Sequence, residues 1–130
     1  MRRSLPGGGA AGTGRTRAAF FPDGAALVTG DARGRLRVWD LATRRMVREA
    51  ALAGRFIVDV AVSPDGRLIA AGTDEGVVRL RDARTLEEVR TLIGHRGPVA
   101  AVAFGTLDGR PIVATGGTDG TVRVWDAVNG

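Results

Sequence analysis

The sequence contains no cysteine, which excludes a disulfide framework and any metal site built from thiolates. It also has no apolar run that is long enough to cross a membrane. The first 15 residues, MRRSLPGGGAAGTGR, begin with a basic pair but have no apolar segment of the kind found in secretory signals. We therefore expect a cytoplasmic protein, and the length of 130 residues fits one domain.

Lysine is absent too, so the net charge of +5 comes from 19 arginines set against 14 acidic residues. Clustered arginine is typical of phosphate binding, which makes an anion or nucleic-acid binder the alternative function. The densest basic patch contains Arg33, Arg35 and Arg37 at alternate positions, followed by Arg44, Arg45 and Arg48. Its simpler interpretation is a solvated strand face that discourages edge-to-edge pairing. Most arginines are spread along the chain among acids, which favours that simpler interpretation.

Groups for catalysis or cofactor binding are missing as well. No nucleophile has a nearby base, no glycine-rich loop ends in lysine, and the one histidine has no second histidine or cysteine with which to hold a metal. Gly7, Gly9 and Gly12 match G-x-G-x-x-G, but a strand before them and a helix after them are both lacking. We predict a flexible Gly-rich tail over residues 1–14, no cofactor, no metal and no enzymatic activity.

The chain does contain a threefold repeat of strand, tight turn and strand. The clearest copy is PIVATGGTDGTVRVWD, residues 111–126, and two weaker copies end at Asp40 and Asp82. The copies are spaced 42 and 44 residues apart. A period of this length with four short strands per unit is typical of a β-propeller blade.

We therefore predict an all-β fold for residues 15–130, an incomplete β-propeller of three antiparallel four-stranded blades. The blades are expected at about residues 17–50, 56–92 and 97–130. Because the chain stops in the turn sequence Val128-Asn129-Gly130, the last blade is expected to lack its outer strand.

These repeats resemble the WD-repeat β-propeller family over nearly the whole chain from Arg17 onward. The most specific match combines Gly94-His95, Asp119-Gly120-Thr121 and Trp125-Asp126 at the family's spacing. In this family a histidine, a serine or threonine, an aspartate and a tryptophan hydrogen-bond in series and tie a blade together. The resemblance assigns these structural roles to His95, Thr115, Asp119 and Trp125.

The first two repeats depart from this pattern. The first keeps Thr29 and Trp39, but Arg33 stands at the aspartate position. The second replaces threonine, aspartate and tryptophan by Ala71, Glu75 and Arg81. We expect these two blades to depend more on apolar packing than on a polar network. For Arg81 we expect a side chain that reaches solvent or pairs with Glu75, with partner binding as the alternative.

The resemblance implies a non-catalytic protein–protein interaction scaffold. Three blades cannot close a ring, so the chain is expected to be a fragment of a larger propeller, to associate with itself, or to complete another propeller. In this family, partners commonly bind the face formed by the loops entering the blades and the turns between second and third strands. Here that face would carry Asp31, Arg33, Arg55, Phe56, Asp59, Asp74, Glu75, Arg96 and Thr118. Phe56 is its large apolar residue and therefore the expected anchor.

Overall fold

The structure, a computed structural model, describes residues 16–52 and 56–128. In these two ranges the chain forms eleven β-strands and no helix. The first sheet contains β1 (Thr16–Phe20), β2 (Ala26–Asp31), β3 (Arg35–Asp40) and β4 (Arg45–Ala51). The second contains β5 (Ile57–Val62), β6 (Leu68–Thr73), β7 (Val77–Asp82) and β8 (Glu88–Ile93). The third contains β9 (Val99–Leu107), β10 (Arg110–Gly117) and β11 (Val122–Asp126).

Each sheet is an antiparallel meander in which consecutive strands pair. The predicted all-β fold of three blades, with three strands in the last, is therefore confirmed. The turn between the first and second strands contains a glycine with positive φ in the first two blades, Gly24 (72°) and Gly66 (73°), a conformation that most other residues avoid. The predicted tail over residues 1–14 lies outside the described ranges. No helix in those ranges is long and apolar enough to span the bilayer.

The hydrophobic core lies between neighbouring sheets. Leu36 and Val38 of β3 belong to one buried cluster with Ile69 of β6, which joins the first blade to the second. Val78 and Leu80 of β7 share a second cluster with residues of β9 and β10, which joins the second blade to the third. Each blade is therefore stabilised mainly by the apolar surface that it buries against its neighbours.

The third blade exposes the face that the first two bury. Val122 and Val124 of β11 are 77% and 62% exposed, whereas the four residues at the same register in β3 and β7 are at most 1% exposed. Among the described residues, no further sheet packs on this side of β10 and β11. We call this surface, defined by Gly116, Val122 and Val124, the open face.

A glycine on the second strand of each blade lies where the next blade packs. A Cβ atom added to Gly30 would lie 2.5 Å from Ile57 Cγ2, and one added to Gly72 would lie 2.7 Å from Val99 Cγ1. At the equivalent Gly116, an added Cβ atom would have no atom of the described residues within 4 Å. The glycines at the two internal interfaces are thus needed for close approach of the sheets, and Gly116 occupies the same position on the open face.

Gly72→Ala is expected to lower the free energy of unfolding by about 1–3 kcal/mol, because the added methyl group overpacks the interface with β9. Gly116→Ala makes the same chemical change at the equivalent uncovered position and should leave stability unchanged or raise it by up to about 1 kcal/mol. Urea unfolding of the two variants measures both effects. Equal destabilisation by the two substitutions would contradict this account of the interface.

Candidate functional site

A hydrogen-bonded series runs through the third blade. Trp125 Nε1 donates to Thr115 Oγ1 at 3.1 Å, and Thr115 Oγ1 lies 2.8 Å from His95 Nε2. His95 Nδ1 in turn lies 3.3 Å from Asp119 Oδ1. The series joins β11, β10, the loop before β9 and the β10–β11 turn. Each of the four residues named from the family resemblance therefore contacts the next one in the series.

A simple arrangement of hydrogens satisfies this series. An indole N–H can only donate, so the Thr115 hydroxyl accepts from Trp125, and its own proton can then be donated to an unprotonated His95 Nε2. We therefore assign the hydrogen of a neutral His95 to Nδ1, from which it points toward the Asp119 carboxylate. Both His95 and Thr115 are buried, so the protein would lose folding free energy if the polar group of either residue had no hydrogen-bond partner.

The Asp119 carboxylate also anchors its own turn and the preceding loop. Its Oδ2 accepts the backbone N–H of Arg96 at 3.0 Å, and its Oδ1 accepts the hydroxyl of Thr121 at 2.7 Å and its N–H at 3.0 Å. These hydrogen bonds, that from Arg96 first, hold the pKa of Asp119 well below the usual range of an aspartate. The group is consequently ionised at neutral pH and fixes the β10–β11 turn to the loop before β9.

The first blade keeps half of this arrangement. Trp39 Nε1 donates to Thr29 Oγ1 at 2.9 Å, which matches the Trp125–Thr115 contact. The carboxylate of its β2–β3 turn comes from Asp31, whose Oδ1 accepts the backbone N–H groups of Arg33 and Arg35 at 2.9 and 3.0 Å. The sequence pattern placed Arg33 at the aspartate position and missed that Asp31, two residues earlier, performs the turn-binding part of the role.

The second blade packs through apolar side chains where the third uses the polar series. Ile69, Ala71 and Val78 are all buried, as expected for a blade without the threonine and tryptophan. Arg81, at the tryptophan position, donates from Nη1 to the Leu86 carbonyl at 2.8 Å, and burial lowers the pKa of its guanidinium. The Arg81 side chain therefore ends on the backbone of its own blade.

The candidate partner-binding residues lie mostly at one end of the sheets. Phe56 precedes β5 and its carbonyl accepts the N–H of Asp74, so it is held beside the β6–β7 turn. Six of the nine predicted residues are exposed there and define what we call the loop face: Arg33, Phe56, Asp74, Glu75, Arg96 and Thr118. Asp31 is half-buried beneath them, and Arg55 lies outside the described ranges.

Asp59 does not belong to this loop face, contrary to the sequence interpretation. It lies inside β5, and its Oδ2 accepts the backbone N–H of Val102 on β9 at 3.0 Å. The bond crosses from the second blade to the third. Asp59 thus accepts a backbone N–H between the second and third blades. The two residues are 43 positions apart, so no local sequence pattern predicts their contact.

Two arginines of the first blade, Arg35 and Arg37, form ion pairs with nearby acids. Arg37 is only 7% exposed, and its Nε donates to Glu49 Oε2 at 2.6 Å. Arg35 Nη1 lies 3.7 Å from the same Glu49 oxygen, and Asp31 Oδ2 lies 3.9 Å from Arg37 Nη1. Contact with Arg37 lowers the pKa of Glu49. The expectation of a solvated basic strand face is therefore wrong at Arg37, and its ion pair with Glu49 removes Arg37 from the groups that could bind an anion.

A metal site is not formed by the side chains that the structure describes. Within residues 16–52 and 56–128, no three histidine or acidic side chains are grouped to hold a cation. His95 points its two ring nitrogens at Thr115 and Asp119, as described above. Its geometry is that of a residue that links strands and loops.

The chain matches the family model described as WD domain, G-beta repeat, over residues 12–40, 49–82 and 86–126. It is 35% identical over 109 residues to WD repeat-containing protein sll1491 of Synechocystis, covering 84% of this chain and 31% of that protein. It is also 35% identical over 112 residues to WD repeat-containing protein SL1-17 of Schistosoma mansoni, covering 86% of this chain and 36% of that protein.

Among solved structures, one titled "Structure of U3-55K" superposes with a TM-score of 0.85 at 23% identity, over 96% of this chain and 38% of that one. At this identity the likeness concerns the fold. The chain spans about a third of the length of these two curated relatives. The three described blades thus correspond to a minor part of the longer proteins that they resemble.

Thr115→Val is expected to destabilise the protein by about 2–4 kcal/mol, because it leaves both Trp125 Nε1 and His95 Nε2 buried without a partner. Thr29→Val is the matched control in the first blade, where only Trp39 loses its acceptor, and should cost about 1–2 kcal/mol. Denaturant unfolding monitored by tryptophan fluorescence measures both. Equal losses would mean that the histidine contributes nothing to the series.

Asp119 is expected to make the protein acid-sensitive. Its pKa is lower in the folded chain than in the unfolded chain, so its contribution is fully present above about pH 3.9 and is lost as the pH falls below that value. The free energy of unfolding should therefore fall more steeply between about pH 5 and pH 2 in the wild type than in Asp119→Asn. Urea titrations at each pH give the two curves, and parallel curves would contradict the assignment.

Proposed function

Because the chain belongs to the WD domain, G-beta repeat family, we propose that it is a non-catalytic protein–protein interaction scaffold whose three blades form part of a larger propeller. Members of this family typically act as interaction scaffolds. The remaining blades would come from a longer chain, from a second copy or from another propeller fragment. A cytoplasmic location remains part of this proposal.

The open face is the observation that supports a larger propeller. Val122 and Val124 occupy register positions whose equivalents are buried at both internal interfaces. Gly116 lacks a side chain at the position where Gly30 and Gly72 allow the next blade to approach closely. Isolated exposed valines need no explanation, but a contiguous patch that repeats a buried interface indicates a missing neighbour.

The interaction part of the proposal centres on Phe56 in the loop face. Its aromatic side chain is partly exposed among charged residues, and its carbonyl bond to Asp74 fixes the backbone at that point. A rigidly held aromatic residue surrounded by polar groups is the usual composition of a binding anchor. Arg96 and Thr118 belong to segments that Asp119 and the Pro98 carbonyl hold in place, so this side of the face is also ordered.

The proposal is tested by affinity capture from the source organism with the tagged wild-type chain, Phe56→Ala and Val124→Asp, followed by quantitative mass spectrometry. Partners of the loop face should be depleted at least tenfold by Phe56→Ala alone, and proteins that complete the propeller by Val124→Asp alone. An untagged second copy of this chain in the capture would identify self-association.

Val89→Ala is the matched control, since Val89 is also an exposed apolar residue but lies on β8, away from both surfaces. It should retain every partner of the wild type. Circular dichroism of each variant establishes that the fold is kept. If no captured protein depends on Phe56 or Val124, the scaffold role proposed for these two surfaces is wrong.

A further inference from the structure

The β3–β4 turn and the first half of β4 expose basic and apolar side chains together. Five consecutive residues there define what we call the basic corner: Arg44, Arg45, Met46, Val47 and Arg48. Met46 and Val47 are 44% and 52% exposed, the first two arginines are exposed, and the third is half-buried. Because β3 begins at a turn of the loop face and ends at the β3–β4 turn, the basic corner lies at the opposite end of the first sheet from the loop face.

The three arginines of the basic corner have no counter-ion in the described part of the chain. The two acidic residues nearest to them in sequence are already bound. Asp40 accepts the hydroxyl of Thr43 at 2.9 Å, and Glu49 accepts Arg37 Nε at 2.6 Å. No other described carboxylate pairs with the three guanidinium groups, and all 14 acidic residues fall within the described ranges. The positive charge of this corner is therefore not neutralised by a side chain of the protein itself.

The same corner of the second blade has the opposite chemistry. Its sequence is LEEVR where the first blade has RRMVR, and Met46 and Glu88 occupy equivalent register positions. The second blade also satisfies its charges internally. Glu88 accepts Arg79 Nη1 at 2.6 Å. Arg90 donates from Nη2 to the Val128 carbonyl at 2.6 Å. The fold of a blade therefore does not require a basic and apolar corner at this position.

Arg44 has a backbone conformation that favours glycine. Its φ is 57°, and the φ of the equivalent Leu86 in the second blade is 62°. Leu86 is 2% exposed and belongs to the buried cluster between the first and second blades, so packing accounts for its unfavourable backbone. Arg44 is exposed, and core packing does not account for it. An unfavourable φ without a packing role is a feature that functional sites concentrate.

Protection of the strand edge explains only part of the basic corner. Charged side chains on an edge strand, and a β-bulge such as the one that Val47 makes in β4, both discourage pairing with another strand. A partner would therefore contact the side chains of the corner and not add a strand to β4. Edge protection has no need for Met46, which places an exposed apolar side chain between arginines where the second blade has a glutamate.

We propose that the basic corner is a docking surface for an acidic segment of a partner protein that carries aliphatic residues between its carboxylates. The carboxylates pair with guanidinium groups that have no acid to release, and the aliphatic residues pack on Met46 and Val47. Residues 44–48 of an extended chain span about 13 Å, so a partner segment of about five residues covers the corner. A nucleic-acid backbone would use the arginines but not the apolar pair, which favours a protein segment.

The test uses the whole 130-residue chain and a labelled peptide, GSDELVEDGS, in which acidic residues flank an aliphatic pair. Two further peptides separate the contributions: GSNQLVQNGS lacks the carboxylates, and GSDESSEDGS lacks the aliphatic side chains. Fluorescence anisotropy gives the affinities, and backbone amide NMR spectra locate the site. We expect saturable binding of the first peptide with shifts at residues 44–48. The amide peptide should bind at least about tenfold more weakly and the serine peptide about fivefold more weakly.

Three protein variants test the residues of the corner. Arg44→Gly combined with Arg45→Gln should weaken binding of the first peptide about tenfold. Met46→Ser should weaken it about threefold and leave the serine peptide unaffected. Arg44→Gly alone should weaken binding about threefold while the thermal transition stays within about 2 °C of the wild type, because glycine accepts this φ. A loss of stability with unchanged binding would give Arg44 a structural role and overturn the proposal.

Arg67→Gln combined with Arg84→Gln is the charge-matched control, since it removes two exposed arginines from turns at the same end of the second blade. It should leave binding within twofold, as should Phe56→Ala and Val124→Asp, which separates this surface from the proposed function. Labelled oligothymidylate tests the nucleic-acid alternative. Absence of saturable peptide binding at millimolar concentration, equal affinity for the serine peptide, or tighter binding of oligothymidylate that Met46→Ser does not change would each overturn the proposal.

Discussion

Packing between sheets is the constraint on which this structure depends. A single meander of three or four short strands has two faces and no interior, so it gains little stability alone. The buried residues accordingly form two clusters, one between the first and second blades and one between the second and third. Glycines at 30 and 72 permit the close approach that these clusters require. The strands, turns and polar contacts serve mainly to present flat, complementary faces to the neighbouring blades.

The three blades meet this constraint with different chemistry on the same backbone. The third uses a four-residue polar series, the first keeps its tryptophan–threonine half, and the second buries alanine and isoleucine with an arginine that binds a backbone carbonyl. A satisfied polar network fixes one geometry, because a shift of one member leaves a donor or acceptor without its partner. Apolar packing tolerates more variation. The polar series therefore holds the strands and loops of the third blade in one arrangement, although one side of that blade is uncovered.

Much of the fold could be predicted from the sequence because it repeats local signals. Alternating apolar residues give strands, and the turn Pro22-Asp23-Gly24 recurs as Pro64-Asp65-Gly66 in the second repeat, so the three blades and the missing outer strand could be predicted. Contacts between blades could not be predicted in this way. Asp59 was assigned to the loop face but binds Val102 on the next blade, and Arg37 was assigned to a solvated face but pairs with Glu49 on β4. Both depend on register and docking, which local pattern does not encode.

The third blade carries features that no contact within the described residues explains. Gly116 is a glycine within a strand, which costs about 0.5–1 kcal/mol relative to alanine, yet no neighbouring side chain requires the space. Val122 and Val124 are exposed, and the Nε of Arg123 is buried without a partner. For the glycine and the two valines, the equivalent residues of the inner blades recover this cost through a neighbouring blade. Since all of these features lie on β11 or beside it on β10, they support the proposal that further propeller structure covers the open face.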